Sequence, residues 1–141
     1  MEENANTTDL MQEALQDSRL FSEFETAYKR QYIAEDFRNY VENTIEAKGL
    51  SKAEVIRNAD FERTYGYQIL RGARKPSRDK LIQLAFGLRL SPGEAARMFK
   101  LAGYLPMYPK IQREAAMLFC LSKGYTYTEC MIFLDALRNG E

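Results

Sequence analysis

Histidine and tryptophan are both absent from the 141 residues. Without imidazole there is no Ser-His or Cys-His nucleophile pair, no imidazole base and no histidine metal ligand. Cysteine occurs only twice, at Cys120 and Cys130. Two thiolates do not close a zinc site, which usually takes four ligands, and they do not make a disulfide framework. Both read as buried free thiols. There is no P-loop and no dinucleotide-binding glycine pattern. Nothing in the chain supports an enzyme, and no cofactor or metal is expected. No apolar run approaches the roughly 20 residues that a membrane-spanning helix needs. The first residues, MEENANTTD, are acidic and polar, unlike a secretory signal, which starts basic and turns apolar. A cytoplasmic location away from the membrane is the expectation. Net charge is also missing, with 20 bases against 20 acids, and that balance alone argues against a nucleic-acid binder.

What is present changes the picture. Hydrophobic residues make up 45% and aromatics 12%, enough for a packed core. The length suits one domain, or one domain with an extension. The charge is unevenly spread. Residues 1–46 hold eleven acids against four bases, a net of −7. Residues 48–80 hold nine bases against four acids, a net of +5. A basic module behind an acidic extension is a meaningful asymmetry, although a solvated surface accounts for the charges equally well.

Apolar residues recur at spacings of three and four with no strand alternation, so the chain reads as all-α. Leu10, Ala14, Phe21, Phe24 and Tyr28 suggest one or two short helices, broken near Asp17-Ser18. Phe37, Tyr40, Val41, Thr44 and Ile45 line one face of a helix that Lys48-Gly49 ends. Ser51-Lys52-Ala53-Glu54 has the form of a capping box, a hydroxyl with a glutamate three residues on. It opens a short helix to about Asn58, followed by a turn at Ala59-Asp60-Phe61. A second short helix runs from about Glu62 to Arg71 and stops at Gly72. Pro76-Ser77 starts another, with Leu81, Ile82, Leu84, Ala85 and Leu88 facing inward. Ser91-Pro92-Gly93-Glu94 is a further capping box, its helix ending at Gly103. Pro106 and Pro109 bracket a rigid connector. Helices from about Lys110 to Ser122 and from Thr126 to near Gly140 follow.

The stretch Leu50 to Ser77 resembles, without a gap, the helix-turn-helix of the lambda-repressor-like (Xre or Cro type) family of bacterial and phage regulators. The matching residues are Leu50, Ser51, Lys52, Glu54, Val55, Phe61, Arg63, Ile69, Arg71, Gly72, Arg74, Pro76 and Ser77. Leu81, Leu84, Ala85 and Leu88 continue as that family's fourth helix does, and the resemblance covers about Phe37 to Leu90. Three positions depart from the pattern. Asp60 stands at the usual turn glycine, and aspartate tolerates the left-handed conformation. Ile56 stands where a small alanine is usual, and Gly66 where a bulky aliphatic is usual. Those two positions meet where the helices cross, so small-large has become large-small with volume conserved. Gly66 is then expected as a packing glycine that receives Ile56; the alternative is that it kinks the helix or marks a role without DNA.

The resemblance implies a helical domain over 33–90 that binds double-stranded DNA, behind an acidic helical extension over 1–32. A helical region over 91–141 either packs on that domain or forms an oligomer interface. It implies Arg63, Thr64, Tyr67 and Gln68 as base-reading residues. It implies Ser51, Lys52, Tyr65, Arg71, Arg74, Lys75 and Arg78 at phosphates, with Tyr65 alternatively wedged against the core. Arginine pairs with guanine, glutamine with adenine, and threonine meets the thymine methyl; phosphate contacts position without reading sequence. A homodimer on two half-sites and a protein partner for the terminal segments are further expectations. Such a regulator would be nucleoid-associated when bound. Two other readings stand beside it. One is a protein-interaction adaptor or inhibitor that keeps the fold without DNA. The other is autoinhibition, in which the acidic extension lies over the basic module.

Overall fold

The computed structural model describes residues 2–17, 20–28 and 33–140. Among them every regular element is a helix: α1 Glu2–Asp17, α2 Phe21–Tyr28, α3 Ile33–Ala47, α4 Lys52–Asn58, α5 Arg63–Leu70, α6 Arg78–Gly87, α7 Pro92–Leu101, α8 Gln112–Ser122 and α9 Tyr127–Arg138. The fold is all-α. No helix of the described residues is long and apolar enough to cross a membrane. The break expected near Asp17-Ser18 falls at residues 18 and 19, outside the described residues, as does the side chain of Tyr28. In the extension α1 packs on α2, and Phe21 stacks on Phe24 at 6.0 Å between ring centroids.

The helix boundaries follow local chemistry. Ser51 accepts from the Glu54 N–H at 3.1 Å while the Glu54 carboxylate accepts from the Ser51 N–H at 3.1 Å. The same reciprocal cap opens α7 at Ser91 and Glu94, and α9 at Thr126 and Glu129. Each leaves fewer orphan N–H groups at a helix start. At the end of α4 the Phe61 N–H reaches back to the Ile56 carbonyl at 3.0 Å. That closure requires the left-handed conformation at Asp60, where φ is 59°. The buried side chain of Gln83 donates to the Ala59 carbonyl at 2.9 Å and satisfies the turn from below.

The α4–α5 crossing is held by the Ile56–Gly66 pair. A Cβ placed on Gly66 would lie 2.6 Å from Ile56 Cγ1 and 2.9 Å from Cγ2. The glycine is therefore a packing position, and α5 runs through it as helix. A second close approach sets α6 against α4, where a Cβ on Gly87 would lie 2.5 Å from the Val55 carbonyl oxygen. Sequence periodicity suggested one inward face for α6. The helix is instead buried all round from Leu81 to Gly87, with Gln83, Phe86 and Gly87 also inside, because α4, α7 and α9 all pack on it.

One apolar core runs from Val41 to Cys130. Residues 91–140 pack on the rest and supply Ala95, Met98, Phe99, Met107, Met117, Cys120, Leu121 and Cys130 to that core. Cys120 and Cys130 are buried free thiols, and burial pushes both thiols up from their ordinary pKa. Polar bonds tie the same regions. The Tyr40 hydroxyl donates to the Glu94 carbonyl at 3.0 Å, and Lys48 Nζ pairs with Glu94 at 3.1 Å.

Candidate nucleic-acid interface

The candidate surface is built from α4, the turn, α5 and the loop 71–77. Glu62 caps α5: its carboxylate accepts from the Thr64 N–H at 2.8 Å and the Tyr65 N–H at 3.1 Å. These two N–H groups hold its carboxyl below the usual range, and the Ser51 N–H and hydroxyl do the same for Glu54. Two of the acids in this basic stretch are thus occupied at helix starts. The cations are left without ion-pair partners: among the described residues no carboxylate lies within salt-bridge distance of Lys52, Arg57, Arg63, Arg71, Arg74, Lys75 or Lys80.

On α5, Arg63 and Thr64 are exposed, Tyr67 and Gln68 are half-buried, and Gly66, Ile69 and Leu70 face the core. The guanidinium of Arg63 sits over the Tyr67 ring, 5.9 Å from its centroid. Tyr67 itself packs against the core, so of the four expected base-reading side chains Arg63 and Thr64 are the most free. Tyr65 takes the wedged alternative. It is half-buried, packs edge-on against Phe61 at 5.3 Å, and carries Arg74 at 5.1 Å and Lys80 at 5.6 Å from its ring centroid. Burial raises its phenol pKa, with Arg74 opposing.

Ser51, Lys52, Arg71, Arg74 and Lys75 are all exposed, with the Ser51 oxygen already engaged in the α4 cap. Lys75 lies over the Tyr104 ring at 5.5 Å, and the Tyr104 hydroxyl donates to the Pro76 carbonyl at 2.9 Å. The C-terminal region thereby braces the basic loop.

Arg78 departs from its expected role at phosphate. Its guanidinium makes a fork with Glu114, Nη1 at 2.7 Å and Nη2 at 3.0 Å. It also donates to the carbonyls of Leu105 and Pro106 and lies over the Phe99 ring. The charge is committed inside the protein, where it holds the 104–110 connector to α6. Glu114 completes the clamp by accepting from the Tyr108 N–H at 2.7 Å.

Three residues outside the sequence-based set belong to the surface. Lys80 joins Arg74 over Tyr65 from the first turn of α6. Arg38 of α3 lies over Gly72, since a Cβ on that glycine would be 3.1 Å from Arg38 Cδ; no sequence signal links the two. Glu62 precedes Arg63 as the N-cap, its carboxylate turned onto the α5 N–H groups, a position legible as the residue before the helix.

Comparisons with protein-family models, with curated proteins and with solved structures returned no match for this chain.

Proposed function

We propose that α4 and α5 form a helix-turn-helix of the lambda-repressor-like type, and that the protein is a sequence-specific DNA-binding transcriptional regulator. The observation that carries this reading is the division of charge over residues 51–77. Glu54 and Glu62 are engaged at helix N-termini, while among the described residues Lys52, Arg57, Arg63, Arg71, Arg74 and Lys75 stand exposed with no carboxylate at salt-bridge distance. Unneutralised cations along one surface supply phosphate affinity by counterion release. α5 has the dimensions to enter a major groove. Arg63 is assigned to guanine, Gln68 to adenine and Thr64 to a thymine methyl, with Tyr67 beside them. Lys52, Arg71, Arg74 and Lys75 hold the flanking phosphates.

The test is fluorescence anisotropy with a pool of genomic fragments at two salt concentrations, comparing wild type with Arg63→Ala/Gln68→Ala. Wild type should select particular fragments and weaken steeply with salt. The double variant should lose selection and keep weak nonspecific binding. Absence of binding to any fragment at low salt would overturn the reading in favour of a protein-interaction adaptor.

A further inference from the structure

Between α4 and α5 lies an open crevice of about 440 Å³, lined by Ala53, Ile56, Arg57, Phe61, Arg63 and Tyr67. Its apolar part is Ile56 and Phe61, 6% and 9% exposed, and its aromatic wall is Tyr67. Arg57 and Arg63, both exposed, complete the lining, and among the described residues neither is within ion-pair distance of a carboxylate. No acid lines it. The volume falls within the range of small-molecule sites, which combine an apolar body with a few convergent polar groups. Guanidinium forks match carboxylates in geometry as well as charge.

We infer that this crevice is a binding site for a small amphipathic anion, an aromatic carboxylate whose ring rests on Ile56, Phe61 and Tyr67 and whose carboxylate is held by Arg57 and Arg63. The contrast with the groove between α8 and α9 supports the choice of an anion. That groove, about 540 Å³, includes Asp135 in its lining, and Asp135 already neutralises Arg138 at 2.6 Å. The α4–α5 crevice has no carboxylate in its lining; Glu54 acts on Arg57 from outside it, its carboxylate engaged at the Ser51 cap. Its occupant covers Arg63 and Tyr67, two residues assigned above to base reading, so ligand and DNA exclude one another. The site itself stands independently of the DNA assignment.

The experiment is a titration of the full chain, without DNA, followed by amide chemical shifts. The probe is 1-naphthoate, with neutral 1-naphthalenemethanol as control. Naphthoate should move the amides of Ile56, Arg57, Arg63 and Tyr67 most. The alcohol should bind at least about fivefold more weakly, and Arg57→Gln should weaken naphthoate by a similar factor. Arg57 is exposed and outside the base-reading set, and its unperturbed spectrum elsewhere reports an intact fold. Ala53→Trp, which fills the crevice, should abolish the localised shifts. Shifts scattered over the surface, equal binding of the alcohol, or indifference to both substitutions would overturn the site. Added naphthoate should also release a selected DNA fragment. A protein that binds naphthoate but no DNA would sink the regulator reading and leave the site standing; one that binds DNA and not naphthoate would do the reverse.

Discussion

Replacing Gly66 with alanine should have opposite effects on stability in two backgrounds. Alanine is favoured over glycine in a helix interior by about 1 kcal/mol, so an open site would be stabilised. Here the added Cβ would meet Ile56 Cγ1 at 2.6 Å and Cδ1 at 3.0 Å. Ile56 is buried, and its branched Cβ leaves it few rotamers. Overpacking of this kind costs about 1–3 kcal/mol, which outweighs the propensity gain and leaves Gly66→Ala destabilised by about 1 kcal/mol. Ile56→Ala alone should cost about 2–5 kcal/mol through lost burial and a cavity. In that background the clash is gone, and Gly66→Ala should stabilise by about 1 kcal/mol. The coupling in the double-mutant cycle is then about 2 kcal/mol. Urea denaturation followed by far-ultraviolet circular dichroism measures all four proteins. If Gly66→Ala has the same sign in both backgrounds, or if the two changes add within about 0.5 kcal/mol, the crossing is not held by this pair.

The Arg78 guanidinium beside Glu114 holds its carboxyl below the ordinary 4.5. The stabilisation this brings is fully present above the unfolded value and is lost as pH falls through the lower folded one. Glu114→Gln should therefore flatten the acid limb of a stability–pH curve, while Arg78→Ala should cost about 1–2 kcal/mol at neutral pH after allowance for its partial exposure. In salt titrations of DNA binding, Arg74→Ala and Lys75→Ala should each lower the slope by about 1. Arg78→Ala should leave the slope unchanged, because that charge is already committed to Glu114; a lowered slope would return Arg78 to the phosphate set. Removal of residues 1–30 should raise affinity for nonspecific DNA at low salt if the acidic extension covers the basic module, and unchanged affinity would rule out autoinhibition.

The features legible in the sequence were those with short-range causes. The caps at Ser51, Ser91 and Thr126 need only a hydroxyl and a glutamate three residues on, and they placed α4, α7 and α9 to within a residue or two. The turn at Asp60 was readable because few side chains accept positive φ. Gly66 and Ile56, ten residues apart, were readable as an exchange of volumes. The fork between Arg78 and Glu114 spans thirty-six residues, and nothing local separates a structural arginine from one free to meet phosphate. The same holds for Arg38 over Gly72 and for Gln83 beneath the Ala59 carbonyl. Tyr67 looked fully outward on a helical wheel, yet it is half-buried because α4 rises beside it. The all-round burial of α6 was hidden because its extra neighbours, α7 and α9, lie later in the chain.

That enclosed helix has a consequence for how the protein opens. α4, α7 and α9 pack on α6, and its buried stretch from Leu81 to Gly87 offers no side to solvent. Local fluctuations that free an exposed helix cannot expose these amides without parting several elements at once. Hydrogen exchange in α6 should track global unfolding, and the surface around α5 should open and close far more often while that central helix stays sealed.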